Sequence, residues 1–169
     1  VELMPPPPLD PVQVRGVMEK AVNGFIRPGY DHFRRSAETL EDSMKAFCAA
    51  PSATTEKTAK DAFADTVSSW STIEIVRVGP VIEQNRFERV LYYPDKKGLG
   101  LKQVQRYLSD KDESVTTAEG LSGKSVAAQG LGALEFILYG TGADELLDKK
   151  GDFRCRFGAA IAGNIADVA

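Results

Sequence analysis

The sequence is short of the residues that most often bind metals and perform covalent chemistry. It contains one histidine, His32, and two cysteines among 169 residues. That set is too small for a Cys/His zinc finger, an HExxH metalloprotease helix or a CxxC redox site. A Ser-His-Asp triad would have to use His32, whose neighbours in residues 30–35 are typical of a polar, solvated helix face. These classes of site are therefore excluded or disfavoured.

Two further absences concern the partners of the protein. There is no run of about 18 apolar residues, so the sequence predicts no transmembrane segment. There is also no excess of positive charge, because 21 Lys and Arg face 24 Asp and Glu and give a formal charge of −3. The basic residues are scattered along the chain, and nucleic acid is therefore disfavoured as a partner.

Apolar residues recur at spacings of three and four from residue 11 onward, and two-residue alternation does not persist. We therefore predict an all-α helical bundle over 11–169, preceded by an extended, proline-rich arm over 1–10. About five to seven helices are expected, with a break or kink at Arg27-Pro28-Gly29 and a third helix that ends near Gly79-Pro80. The segment from Val81 to Leu99 loses its period and is predicted to be irregular.

One carboxylate lies in the most apolar helical segment. Glu135 is flanked by leucine, phenylalanine and isoleucine over 134–138, so we expect it to be buried and to need donors or a cation. Arg77, Arg86 or Arg89 could supply a bidentate ion pair. Two interpretations remain open, a core ion pair that fixes the register of the helix and a ligand-binding role.

Two glycines mark the same segment. Gly130 and Gly132 each cost about 1 kcal/mol relative to alanine inside a helix, which indicates close approach by another element or a ligand, with close helix packing favoured. Gly132 and Glu135 are three residues apart and share a helix face. A functional site is therefore predicted around Glu135. The polar groups expected to converge on it from the irregular segment are Asn85, Arg86 and Asp95.

Several short motifs occur in one order along the chain. They are Arg77-x-Gly79-Pro80, Asn85-Arg86, Tyr93-Pro94-Asp95, Gln103-Val104 and Ser125-x-Ala127-x-Gln129-Gly130-Leu131-x-Ala133-Leu134-Glu135. Over about residues 59–168 the sequence resembles the imelysin-like proteins. The resemblance implies a bacterial protein of the periplasm, lipid-anchored in some members, that is linked to iron acquisition. It also implies two helical bundles related by a pseudo-twofold axis, with the site between them.

The family signature, GxHxxE, falls on residues 130–135. Gly130 and Glu135 match it, whereas Gly132 replaces the histidine. The His-x-x-Glu pair is therefore incomplete, which argues against metal binding and peptidase activity. If iron or another metal ion is the cofactor, Glu135 is the candidate ligand. The full set of candidate ligand-binding residues is Glu135, Gly132, Gly130, Arg77, Asn85, Arg86 and Asp95.

The resemblance favours a periplasmic binding or accessory protein in iron uptake that takes a small ligand or ion. A metallopeptidase and a purely structural interaction module are the alternatives. Family members are about twice as long, and the last four residues, 166–169, lack the usual helix stop signals. We therefore expect the first bundle of a longer protein, completed by its own C-terminal half or by a second chain.

The two cysteines, Cys48 and Cys155, occupy helical positions 107 residues apart. In an oxidising periplasm they are predicted to form a disulfide across the bundle. The alternative is a pair of buried free thiols that pack as small apolar groups.

Overall fold

The chain is helical along nearly its whole length, as the spacing of its apolar residues predicts. The computed structural model describes residues 7–169, and the predicted arm lies outside it at residues 1–6 and is non-helical at 7–10. The α-helices are α1 (Pro11–Ala21), α2 (Arg27–Ala49), α3 (Ala53–Ile73), α4 (Arg86–Val90), α5 (Leu99–Asp110), α6 (Ala118–Ser122), α7 (Gly130–Tyr139) and α8 (Asp152–Val168). No strand occurs within 7–169, which confirms the all-α prediction.

The first two helices form one continuous helical rod, so the break, one of the two outcomes predicted at Arg27-Pro28-Gly29, does not occur. A π-helical turn over Val22–Ile26 joins α1 to α2 without interruption. Pro28 has no N–H to donate to the carbonyl four residues earlier, and its ring would clash there, so the wider turn accommodates it. With this rod counted once, residues 7–169 contain seven helical segments, within the expected range.

The core lies where α2, α3, α7 and α8 pack together. Helix α2 buries one stripe that includes Phe33, Leu40 and Phe47, and Phe33 contacts Trp70 of α3 with ring centroids 5.0 Å apart. Helix α8 is buried on nearly all sides over 153–165, so it is the central helix of the bundle. Among the helices described, none is long and apolar enough to cross a membrane.

Two helix boundaries differ from the sequence prediction. Helix α3 ends at Ile73 and not near Gly79-Pro80, because the β-branched residues that follow disfavour helix and Gly79 has a φ of +68°. The segment predicted to be irregular contains 3₁₀ turns within Gly79–Asn85, interrupted at Glu83 and Gln84, and then α4. Residues 91–98 contain no helix, as predicted.

The structure contains a disulfide between Cys48 and Cys155. It joins the C-terminal turn of α2 to the first turn of α8 and closes a loop of 107 residues. The link lies at the same end of the bundle as the 3₁₀ turns that precede α8, Ala143–Leu147 and Lys149–Gly151.

Candidate functional site

Glu135 lies on the outer face of α7 and is exposed, so the expected burial of its carboxylate is wrong. The core ion pair, one of the two interpretations left open, is wrong with it. Helix α7 turns its large aliphatic residues, such as Leu134 and Ile137, towards the core. Gly132, Glu135 and Tyr139 are spaced by three and four and form the exposed face. Glu135 makes no hydrogen bond or ion pair with any residue of the described chain, which leaves its carboxylate available.

A groove runs along this face of α7, between α5 and the loop over 91–98. It has a volume of about 340 Å³ and continues into a second depression of about 290 Å³ beside Gly132 and Glu135. The aromatic side chains on its walls are Tyr92, Tyr93, Phe136 and Tyr139. Its carboxylates are Asp95 and Glu135. This surface, the α5–α7 groove, is the candidate functional site.

Asp95 belongs to the α5–α7 groove and is fixed by the start of α5. Its carboxylate accepts hydrogen bonds from the backbone N–H groups of Leu99 at 2.7 Å, Gly100 at 3.0 Å and Leu101 at 3.2 Å. A carboxylate in this position satisfies free donors of the first turn and interacts favourably with the helix dipole. Asp95 is therefore both a structural cap and part of the groove wall.

The other polar residues that the sequence predicts at Glu135 lie elsewhere. Arg86 donates hydrogen bonds to the carbonyl of Pro80 at 2.8 Å and lines a different cavity, of about 460 Å³. The guanidinium of Arg77 stacks on the ring of Phe87, 3.9 Å from its centroid. Asn85 is exposed, with a φ of +55°. The prediction that Asn85 and Arg86 converge on Glu135 is therefore wrong, and Arg77 does not form the ion pair considered for it.

A buried polar network stands behind the groove, and sequence reasoning missed it. Arg89 Nη2 donates to Asn164 Oδ1 at 2.7 Å, and Asn164 Nδ2 donates to Gln129 Oε1 at 2.8 Å. Gln129 Nε2 donates in turn to the carbonyl of Lys124 at 2.7 Å. The network ties α4, the turn before α7 and α8 together. An asparagine within the apolar last helix was the signal that could have found it.

Arg154 is a second buried polar residue that the sequence did not single out. It donates from Nε to the carbonyl of Ile137 at 2.9 Å and from Nη2 to that of Phe136 at 2.6 Å. Nη1 donates to the carbonyl of Thr141 at 2.8 Å. Burial lowers the pKa of this guanidinium from its ordinary value. Arg154 thus caps the C-terminal end of α7, the helix that carries Glu135.

The two glycines of α7 have different surroundings. Gly130 begins the helix at a φ of +73°, and a Cβ there would lie 2.4 Å from the carbonyl oxygen of Val90. Close packing is therefore correct for Gly130. At Gly132 a Cβ would meet no atom within 4 Å, so close helix packing is wrong for that position. Gly132 instead leaves open space over the groove.

This difference gives a paired prediction. Gly132→Ala should raise the free energy of unfolding by about 0.5 to 1 kcal/mol, because alanine fits the space and favours helix. Gly130→Ala should lower it by more than 1 kcal/mol, because the side chain would meet backbone at a positive φ. Urea unfolding of both variants tests this. Equal shifts of the same sign would contradict the contrast.

A concave groove with a few polar groups on a helical bundle is a place where proteins of this architecture can bind small ligands. The family model Peptidase_M75, described as Imelysin, matches residues 26–169, and the chain therefore belongs to the imelysin family.

A solved structure supports the same fold. The crystal structure of an imelysin-like protein from Psychrobacter arcticum 273-4 matches 95% of this chain with a TM-score of 0.81 and 20% sequence identity. The match covers 49% of that protein, so the chain spans about half of its length. A search among curated proteins gives no match.

The residues of the groove do not fit a metal held by a His-x-x-Glu pair. Gly132 supplies no donor at the position of the histidine, and the carboxylate of Asp95 already accepts three backbone N–H groups. Within residues 7–169, no three His, Cys, Asp or Glu side chains are placed to hold a metal ion together. Glu135 alone would be a single carboxylate ligand, fewer than zinc or iron sites use.

Proposed function

We propose that this protein is a periplasmic, ligand-binding member of the imelysin family that serves iron uptake, and that it binds through the α5–α7 groove. The observation that carries this proposal is Glu135, an exposed carboxylate in a concave site, without a partner among the described residues. Concave sites with a few polar groups are where proteins most often bind small ligands. The periplasmic location, with a lipid anchor on the precursor, is inferred from the family resemblance.

Binding is a better account of the groove than hydrolysis. A metallopeptidase needs ligands for its metal and a general base placed beside the metal-bound water. Gly132 removes one ligand, and His32 lies on α2, outside the residues that line the groove. The structural-module alternative depended on a core ion pair at Glu135, and the exposure of Glu135 removes that support.

The partner that we propose is a second helical half, from the same protein or from a second chain. Helix α1 buries none of its residues, and Val12, Val17 and Met18 are 77%, 66% and 57% exposed. Apolar residues this exposed on one helix are typical of a surface that another element covers. The solved imelysin-like protein has about as many residues again beyond the part that matches.

The test is growth of the source bacterium on iron-chelated medium, with the intact gene replaced by a variant. Glu135→Ala should slow growth and leave the free energy of unfolding within about 0.5 kcal/mol, because the side chain is exposed. Asp65→Ala is the matched control, since Asp65 is an exposed carboxylate on α3 with no partner in the described chain.

Two results would contradict the proposal. Normal growth of the Glu135→Ala strain would show that the groove carboxylate is not needed for iron uptake. A loss of several kcal/mol of stability with unchanged growth per folded molecule would make Glu135 a structural residue.

A further inference from the structure

We propose that the α5–α7 groove binds an organic cation, an alkylammonium group on an apolar stem. This inference rests on the proposed binding role of the groove and names the chemical class of its ligand. It follows from the charge of the groove, from its aromatic walls and from the missing donor at Gly132.

The charge of the groove has one sign. Its walls contain the carboxylates of Asp95 and Glu135 and no Lys, Arg or His, as far as the described residues are concerned. Asp95 is held by backbone N–H groups, so Glu135 is the carboxylate free to pair with a ligand. An unpaired carboxylate in a concave site attracts a cation from solution.

Three cations of the chain contact residues of these walls, and each already has partners. Lys60 Nζ forms an ion pair with Glu56 at 2.7 Å, and the guanidinium of Arg154 binds carbonyl groups at the end of α7. Arg89 donates to Gln129 at 3.4 Å and to Asn164 at 2.7 Å. None of the three side chains lines the groove or forms an ion pair with Glu135.

The aromatic walls suit an ammonium group in particular. Tyr92, Tyr93 and Phe136 line the groove with Glu135, and Phe136 and Tyr139 line the adjoining depression with it. The face of an aromatic ring attracts a cation within about 6 Å. Two of these rings already face a cation of the chain, since Lys60 Nζ lies 5.0 Å from the ring centroid of Tyr139 and Arg154 Cζ 5.3 Å from that of Phe136. Tyr92 and Tyr93 are therefore the rings that we expect to contact the ligand cation.

The remaining walls favour an organic cation over a metal ion. Leu91, Leu101 and Val104 are apolar and offer no ligand atoms to a metal, but they can pack against a hydrocarbon stem. Divalent cations bound by oxygen need several ligands, and Gly132 removes the donor that would have joined Glu135. A volume of about 340 Å³ is in the range of small-molecule sites.

Isothermal titration calorimetry of the protein at low salt tests the inference. Cadaverine represents a free amine, and the peptide acetyl-Ala-Lys-Ala-amide represents a lysine side chain. We expect saturable binding of at least one probe, and a loss of at least tenfold in affinity, about 1.4 kcal/mol, in Glu135→Gln. Binding of the peptide alone would assign the ligand to a polypeptide, and binding of cadaverine to a free amine.

The controls separate charge from folding. Asp65→Asn should leave the affinity unchanged, and the peptide with an acetylated lysine should not bind, since it lacks the positive charge. Tyr93→Phe should keep the affinity and Tyr93→Ala should lower it, because only the first retains the ring. Circular dichroism of Glu135→Gln should match the wild-type protein, because the substitution is isosteric and exposed.

The inference is overturned if neither amine binds, if Glu135→Gln binds them as tightly as the wild type, or if Zn²⁺ or Fe³⁺ binds more tightly through Glu135 than either amine does. In each of these cases slow growth of the Glu135→Ala strain on iron-chelated medium would leave the proposed function standing. Normal growth of that strain together with amine binding would overturn the function and leave the ligand class intact.

Discussion

Removing the disulfide between Cys48 and Cys155 is expected to lower the free energy of unfolding by about 4 to 5 kcal/mol. The bond closes a loop of 107 residues, and in the chain-entropy model long loops give the largest restriction of the unfolded chain. Most small domains are stable by only about 5 to 15 kcal/mol, so this loss is a large share of the total.

The measurement is urea unfolding of the wild type and of the double variant Cys48→Ala/Cys155→Ala. Alanine is used because Cys155 is buried and a serine hydroxyl there would lack a partner. Reductant should lower the unfolding midpoint of the wild type and leave that of the double variant unchanged. Two reactive thiols in the denatured, unreduced protein would show that the bond does not form.

Most of the fold could be predicted from the sequence because a helix with one buried face has apolar residues at regular spacings of three and four. The stripe in α2 that includes Phe33, Leu40 and Phe47 is buried, as its spacing requires. Local breakers were harder to interpret. Pro28 predicted a break or a kink, and a π-helical turn before it keeps the helix uninterrupted. This adjustment of the backbone has no sequence pattern of its own.

The candidate site was predicted around Glu135 on α7, where the structure has a groove, but the expected burial of Glu135 is wrong. Apolar neighbours in sequence predicted a buried Glu135, yet a helix turns by 100° at each residue, so Leu134 and Ile137 face the core while Glu135 does not. Asp95 does reach the groove, whereas Arg86 does not. Contacts between distant segments depend on how the helices pack, and that packing cannot be inferred from the periodicity of a single sequence.

The buried arginine behind the site was missed for a related reason. Arg154 stands next to Cys155 and two positions from Arg156, and nothing in the sequence separates the two arginines. In the structure Arg154 is 6% exposed, while Arg156 lies at the surface and pairs with Glu113 and Asp152. The two arginines differ in burial because the carbonyl groups at the end of α7 need hydrogen-bond donors, and Arg154 is the residue that donates to them.

Arg154→Met is therefore expected to lower the free energy of unfolding by about 3 kcal/mol. Methionine keeps much of the packing of the stem but leaves the carbonyl groups of Ile137 and Thr141 without the charged donor that they have in the wild type. Hydrogen bonds to a charged group contribute about 1.5 to 3 kcal/mol each, and removing the burial cost of the guanidinium offsets part of the loss.

Arg156→Met is the matched control for that measurement. Its ion pairs are exposed to solvent, so its loss should lower the free energy of unfolding by about 1 kcal/mol or less. Urea unfolding of the two variants, at the same pH and salt, compares a buried helix cap with a surface ion pair on the same helix. If Arg154→Met lowers the free energy of unfolding by no more than Arg156→Met does, then water or a shifted backbone supplies hydrogen bonds to the carbonyl groups at the end of α7. Arg154 would then not stabilise the helix that carries Glu135.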